Sequence, residues 1–184
     1  MESVDNLRKY FEDHQNEIPT WDDDALTKVK NRAAYNVDFP RTRGWCGVLV
    51  VDVDYLKQSN TNFGHDGADL ILRFVALGLE KSLRESEDRL DPVYRYGGDE
   101  FVILLPNVTN EKDLRMIADR IHSSVTSQVV PGVGNNDYKQ GLSIGASLGN
   151  FDGKNNQHIF KQADQALLQA KDNGRNQVVV AQSV

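Results

Sequence analysis

The sequence predicts a domain of the α/β class, an α+β sandwich with one central, mostly antiparallel sheet flanked by helices. Three observations indicate this class. A run at 46–51 is almost entirely apolar, two strand-like runs at 93–96 and 99–106 are joined by two glycines, and stretches with helical spacing of apolar residues surround them. A mixed succession of strands and helices with a central hairpin is typical of one sheet covered by helices.

The composition limits the number of domains and the classes of binding partner that the protein can have. The chain has 184 residues, of which 39% are hydrophobic, and this is enough for one core. Its 21 basic against 27 acidic side chains give a net charge of -6, which argues against general nucleic-acid binding. No apolar run approaches the roughly 20 residues that span a bilayer, and no signal-peptide stretch begins the chain. We therefore expect a cytoplasmic domain without membrane contact, although a longer parent protein with a membrane anchor is compatible with it.

The N-terminal segment 4–16 has a short amphipathic helical pattern, formed by Val4, Leu7, Tyr10 and Phe11. Two interpretations stay open: a helix packed on the domain, or the stub of a signalling helix from an upstream sensor domain. We accordingly divide the chain into an N-terminal helix at 1–20 and one globular domain at 21–184.

The next predicted elements lead to a pair of carboxylates. A helix is expected at 25–37, with the acidic triplet 22–24 at its start and Pro40 after its end. The apolar run at 46–51 predicts a strand buried on both faces, which makes Cys46 a buried hydrophobe. This strand ends at Asp52-Val53-Asp54, and a helix follows at 66–83.

A hairpin occupies the middle of the chain. Gly97 and Gly98 predict a two-residue turn in which both glycines adopt positive φ, with Asp99 and Glu100 beside it. A helix at 112–126, a strand at 141–149 and a helix ending at Asn173 and Gly174 come next, before a short last strand at 177–181.

Carboxylates at the strand end and at the hairpin tip would converge if those two strands are neighbours. The negative charges of Asp52, Asp54, Asp99 and Glu100 would then repel one another, which implies a bound divalent cation. Oxygen ligands of this kind suit Mg²⁺ or Mn²⁺. Taken singly, an Asp-x-Asp at a strand end is more often a turn or a cap than a metal site. A Gly-Gly hairpin with acidic neighbours is usually only a hairpin. Lys57, Lys171 and Arg175 add cations, but spacing alone favours a simple interaction of the last two with a helix C-terminus.

The residues at 94–101 read YRYGGDEF, which resembles the signature of the GGDEF family, the diguanylate cyclases. Other segments match the family in order. These are DALT and NR within 24–32, DVDYLKQSN and GH within 52–65, SIG at 143–145, and ADQALLQAK and GRN within 163–176. The resemblance covers about residues 24–180, and it identifies 21–184 as a GGDEF catalytic domain.

The resemblance implies a sheet related to adenylyl cyclase catalytic domains and polymerase palms. It implies the condensation of two GTP into cyclic di-GMP with release of two pyrophosphates, by two domains that meet in a transient homodimer. By the same resemblance Asp52, Glu100 and the Val53 carbonyl would bind Mg²⁺, and Asp99 would contribute to that site and help activate the attacking hydroxyl.

The resemblance also assigns substrate contacts. Asn60 and Asp69 match the pair that reads guanine, and the backbone around Tyr55, Leu56 and Lys57 would hold phosphates together with Lys171 and Arg175. The resemblance also implies that Arg95 helps to stabilise charge near the reacting phosphate.

Several positions depart from the family pattern: Lys28, Val29, Leu56, Thr61, Ala68 and Leu168. Ala68 is nearest the expected base pocket, and we interpret these changes as drift that preserves activity. In the family's product-inhibition motif R-x-x-D, Asp91 matches the Asp but Asp88 replaces the Arg, so we expect weak or absent inhibition there. The alternative hypothesis is a catalytically silent GGDEF domain that binds GTP or a partner protein as a regulatory module.

Overall fold

A computed structural model describes residues 20–83, 91–135, 137–154 and 156–182. The amphipathic pattern at 4–16 and the segment that contains Asp88 lie outside these residues. The described elements are β1 (Lys30–Asn31), α1 (Arg32–Asp38), a 3₁₀ turn (Phe39–Arg41), β2 (Gly44–Val53), α2 (Leu56–Leu83), β3 (Val93–Arg95), β4 (Glu100–Pro106), α3 (Glu111–Thr126), β5 (Leu142–Phe151), α4 (Asn156–Asp172) and β6 (Val178–Val180).

The strands form one six-stranded sheet in the order β1-β3-β4-β2-β5-β6. The pairs β3–β4, β4–β2 and β2–β5 are antiparallel, whereas β1 runs parallel to β3 and β6 runs parallel to β5. The fold class predicted from the sequence is therefore confirmed. Its central strand β2 lies between β4 and β5, so the carboxylates at its end are in the middle of the sheet.

Side chains that alternate along β2 divide the core into two layers. Leu49, Val51 and Val53 pack with residues of α2 and α3 on one face. Val48 and Val50 pack on the other face with residues of α1 and α4. Since successive strand residues point to opposite faces, Asp52 shares the face that α4 covers.

The expected helix at 25–37 is only half correct. The helix begins at Arg32, and the residues before it form a turn and the short strand β1. Lys28 has φ 64°, which interrupts helical geometry, and Asn31 caps the helix by accepting a hydrogen bond from the Ala34 N–H. Asp24 does not start a helix, because its carboxylate accepts hydrogen bonds from the backbone and hydroxyl of Thr27.

Helix α2 begins ten residues before the predicted start at 66, at Leu56. Gly64 breaks it with φ 73° and ψ 179°, values that glycine adopts without steric penalty. The polar residues before the break carry no apolar periodicity, which is why the sequence pattern detects only the second half. Among the described residues, none of the helices is long and apolar enough to cross a membrane.

The hairpin turn differs from the prediction. Gly97 and Gly98 do not have positive φ, and the Glu100 carbonyl accepts from the N–H groups of both Tyr96 and Gly97, at 2.8 and 3.2 Å. The turn is therefore wider than two residues. Gly97 is needed for space instead, because a Cβ atom there would lie 3.0 Å from Oε2 of Glu100.

Helix α4 ends as the sequence predicts. Gly174 has φ 107°, its N–H bonds the Lys171 carbonyl, and the Arg175 N–H bonds the Ala170 carbonyl. This pair of bonds is a Schellman motif, and it turns the chain sharply out of the helix. The two residues after Gly174, Arg175 and Asn176, also have positive φ, at 66° and 45°.

Candidate active site

The centre of the site is a pair of carboxylates on neighbouring strands. Asp52 of β2 lies directly opposite Glu100 of β4 in the antiparallel register. Lys171 near the end of α4 reaches over the sheet, and its Nζ lies 2.6 Å from Oδ2 of Asp52. Two of the predicted metal ligands and one predicted phosphate ligand therefore meet in one place.

Burial makes this pair electrostatically unfavourable when both groups are ionised. Burial is the main cause that raises the pKa of Asp52. The hydrogen bond and the charge of Lys171 lower this pKa but do not outweigh burial. Burial also raises the pKa of Glu100, and the negative charge of Asp52 raises it further. A cation in addition to Lys171 would therefore stabilise the ionised forms of Asp52 and Glu100.

Asp99 contributes to this region through its backbone and lies beside a cavity. Its carbonyl accepts from the Val53 N–H at 3.0 Å, which joins the hairpin turn to the end of β2. Among the described residues, no group of three or more His, Cys, Asp or Glu side chains is already arranged to hold a metal ion.

A cavity of about 300 Å³ adjoins the hairpin turn. It is lined by Leu56, Lys57, Asn60, His65, Ala68, Gly98 and Asp99. The Oδ1 atom of Asn60 is buried and has no hydrogen-bond partner, which is costly unless a ligand supplies a donor. The break at Gly64 separates the two helical stretches that contribute to this wall. Asp69 follows Ala68 on α2, is half-buried, and is not among the lining residues.

A second cavity of about 400 Å³ lies on the other side of the turn that leads into α2. Tyr55 and Arg175 line it, and the Arg175 guanidinium stacks 4.9 Å from the centre of the Tyr55 ring. Tyr55 has φ 56°, and 58% of the residue is exposed. Lys57 borders the first cavity instead, so the predicted phosphate contacts are divided between the two.

Asp54 does not join the carboxylate pair. It is only 3% exposed, and its two oxygens accept from the Ser143 hydroxyl at 2.7 Å and from the Asn176 N–H at 2.9 Å. Protein donors therefore satisfy Asp54, which distinguishes it from the other three carboxylates of the cluster expected from the sequence. Spacing alone could not separate Asp52 from Asp54, because two residues that are two positions apart would share a face if the strand continued, whereas β2 ends at Val53.

Arg95 is engaged in structural contacts. Its guanidinium donates to Oδ1 of Asp24 at 3.0 Å and to the Gly98 carbonyl at 2.8 Å. Burial opposes ionisation of Asp24, but hydrogen bonds from Thr27 and Arg95 outweigh it and lower its pKa. Arg95 thus ties the segment before α1 to the hairpin turn. Sequence reasoning missed this link, for which the only signal was an acidic residue ahead of the helix.

Arg95→Ala is expected to lower the free energy of unfolding by about 1–3 kcal/mol, because the part-buried Asp24 carboxylate loses its charged partner and the Gly98 carbonyl loses a donor. Urea unfolding followed by circular dichroism measures the loss. Arg115→Ala is the matched control, since Arg115 also contacts one carboxylate and one carbonyl but its side chain is 47% exposed. Equal losses in both variants would contradict the expectation that burial sets the difference.

The chain is similar in sequence to known proteins. A family model described as "Diguanylate cyclase, GGDEF domain" matches residues 22–177. Diguanylate cyclase DosC of Escherichia coli is 36% identical over 181 residues, which are 94% of this chain and 37% of that protein. Response regulator PleD of Caulobacter vibrioides is 38% identical over 132 residues, which are 71% of this chain and 28% of that protein. The chain thus spans about a third of the length of these curated relatives.

Solved structures share the fold. The GGDEF domain of DgcB from Caulobacter crescentus, in complex with c-di-GMP, superposes with a TM-score of 0.78 at 24% identity, and the match covers 91% of this chain and all of that domain. Diguanylate cyclase SiaD of Pseudomonas aeruginosa, in complex with its activator SiaC, gives 0.75 at 28% identity, over 98% of this chain and 71% of that one. The family model and the relatives together identify the chain as a member of the GGDEF domain family.

Proposed function

We propose that this domain is a diguanylate cyclase, which condenses two GTP into cyclic di-GMP and releases two pyrophosphates. The proposal depends on the β2–β4 register, which sets Asp52 opposite Glu100, next to a hairpin turn that adjoins a cavity lined by Asn60 and Asp99. We assign the catalytic domain to 21–184 and the segment 1–20 to an N-terminal helix or the stub of a signalling helix.

Guanine is the base that suits the first cavity. The buried Asn60 oxygen needs a donor, and the amino group of guanine supplies one. Asp69 is assigned as the second reader, since a carboxylate accepts from the guanine N1–H and amino groups but finds no N1–H donor on adenine. Asp69 lies beyond the cavity wall, so it would reach the base from the adjoining turn of α2.

The phosphates are assigned to the other end of the site. Lys171 and Arg175 supply positive charge, and the backbone around Tyr55, Leu56 and Lys57 supplies N–H donors. Asp52 and Glu100, with the Val53 carbonyl and Asp99, would supply oxygen ligands only, which suit Mg²⁺ or Mn²⁺. When bound, such a cation neutralises charge at the phosphorus centre and lowers the pKa of the attacking 3′-hydroxyl.

The protein residues then act mainly by positioning. Asn60 and Asp69 orient the base, while Lys171 and Arg175 hold the triphosphate for in-line attack at the α-phosphate. One domain has one such site, and the product contains two nucleotides. The reaction therefore requires two domains facing each other in a transient homodimer, and the rate should rise more steeply than in proportion to protein concentration.

Incubation of the purified protein with GTP and Mg²⁺ tests the proposal, with cyclic di-GMP and pyrophosphate as the measured products. Formation of both in a one-to-two ratio supports the cyclase. Bound GTP without product at high protein concentration supports the silent regulatory module instead.

Asn60→Ala is expected to lower kcat/KM for GTP by at least about 10-fold, because the base loses a buried acceptor. Steady-state kinetics with GTP and ATP measure the effect, and discrimination against ATP should fall as well. The matched control is Thr61→Ala, whose hydroxyl is exposed and bonds only the Lys57 carbonyl among the contacts described. An unchanged GTP/ATP ratio in Asn60→Ala would contradict the assignment.

A further inference from the structure

The second carboxylate of the Asp52-Val53-Asp54 run is buried in a complete set of hydrogen bonds. Besides the bonds to its side chain, the Asp54 N–H donates to the Gly141 carbonyl at 3.0 Å, and the Asp54 carbonyl accepts from Nε2 of Gln140 at 2.6 Å. A Cβ atom at Gly141 would lie 3.1 Å from Oδ2 of Asp54. The segment before β5 therefore encloses this carboxylate tightly.

One of these bonds holds an unusual stretch of backbone. The Oδ2 atom of Asp54 accepts from the N–H of Asn176, which with Arg175 forms two consecutive left-handed residues. That conformation is unfavourable for residues with a side chain, so it persists only where contacts stabilise it. A hydrogen bond to an ionised carboxylate is among the stronger kinds that a protein can supply.

The consequence of this backbone is the position of Arg175. The left-handed turn brings its guanidinium over the exposed Tyr55 ring, at the wall of the 400 Å³ cavity. The turn is also held by Nε2 of Gln177, which donates to the Arg175 carbonyl at 3.2 Å. Loss of the Asp54 bond is therefore expected to loosen the chain after Gly174 and to displace Arg175.

We propose that Asp54 is a positioning residue for phosphate binding, which acts through Arg175 and does not bind the metal. Both of its oxygens already accept hydrogen bonds from the protein, unlike those of Asp52 and Glu100. This inference rests on the proposed function, since it assigns a role within the same nucleotide site.

Two serines of β5 provide a matched test that leaves Asp54 itself in place. Ser143 and Ser147 are both buried, and each donates one hydrogen bond of 2.7 Å, to Asp54 and to the Ile159 carbonyl respectively. Ser143→Ala is expected to raise the KM for GTP several-fold, whereas Ser147→Ala should lose similar stability with KM unchanged. Equal KM values in the two variants would overturn the proposal.

Substitution of Asp54 itself is expected to raise the KM for GTP more than Ser143→Ala does. Asp54→Ala is expected to raise the KM for GTP and its calorimetric Kd about 10-fold while kcat changes less than about 3-fold. Asp54→Asn should restore most of the affinity, because its amide oxygen still accepts from Asn176 and its amide N–H₂ can donate to Ser143. It also keeps the proposal testable if Asp54→Ala does not fold.

The double variant with Arg175→Ala decides the mechanism. If Asp54 acts through Arg175, Asp54→Ala adds no further loss of GTP affinity in the Arg175→Ala background. Additive losses, or a change in kcat and in Mg²⁺ dependence at unchanged KM, would overturn the proposal. Failure of the wild-type protein to bind GTP would overturn the proposed function as well, whereas binding with additive losses removes only the role of Asp54.

Discussion

The Glu100→Gln variant is expected to be more stable than the wild-type protein and to turn over GTP at least about 100-fold more slowly. Both effects have one cause. Burial and the neighbouring Asp52 raise the pKa of Glu100, so its ionised form destabilises the fold while providing an oxygen ligand for a cation. Glutamine keeps the shape and removes the charge.

The sign of the pH dependence follows from the raised pKa. Between the ordinary pKa of a glutamate and the raised folded value, the folded protein binds more protons than the unfolded chain, so stability falls as pH rises through that interval. The advantage of Glu100→Gln is therefore largest at neutral pH and disappears in acid, below the unfolded pKa.

Thermal unfolding at several pH values, with and without Mg²⁺, measures these effects. Mg²⁺ should raise the melting temperature of the wild-type protein more than that of the variant. Glu111→Gln is the control, because Glu111 is exposed in the first turn of α3 and lies outside the site. Full activity in Glu100→Gln, or a lower melting temperature at neutral pH, would refute the assignment.

Gly145→Ala is expected to destabilise the domain by at least about 3 kcal/mol, enough to reduce its soluble yield sharply. A Cβ atom at Gly145 would lie 2.1 Å from both the Ala163 carbonyl oxygen and the Leu167 nitrogen. These are backbone atoms of α4, so the helix as a whole would have to move away from β5. That shift would also displace Lys171 from Asp52.

Two other glycines calibrate this prediction. At Gly149 the atoms nearest the new Cβ would belong to the Ile159 side chain and not to backbone, and at Gly98 nothing lies within 4 Å. Urea unfolding should therefore give a large loss for Gly145→Ala, an intermediate loss for Gly149→Ala and almost none for Gly98→Ala. A loss in Gly145→Ala no greater than in Gly98→Ala would show that β5 and α4 are not in backbone contact.

The sequence predicts those parts of the fold in which apolar spacing reflects burial. Helix α3, strand β2 and the end of α4 lie within a few residues of their expected positions, because one face or both faces of each are buried. The first half of the 25–37 helix is wrong for the opposite reason. Asp24 accepts bonds from Thr27 nearby and from Arg95, a residue 71 positions away, and the spacing of apolar residues reflects neither contact.

The site is predicted to a similar extent. Motifs select Asp52 and Glu100, but their proximity depends on β4 lying beside β2, which the sequence leaves conditional. The structure adds three features that the motifs do not contain. Lys171 forms an ion pair with Asp52, the Asn60 oxygen has no hydrogen-bond partner, and Asp54 accepts from Ser143. These contacts join residues distant in the chain, so only the folded arrangement reveals them.

The short edges of the sheet have a consequence for self-association. β1 has two residues and β6 has three, so the described sheet offers few free backbone groups to another chain. The three valines of β6 would otherwise favour intermolecular strand pairing, and Arg115 donates to the carbonyl of the first of them at 3.0 Å. This bond occupies an acceptor on the most β-prone edge of the described sheet, so pairing of this edge with a strand of a second copy is disfavoured.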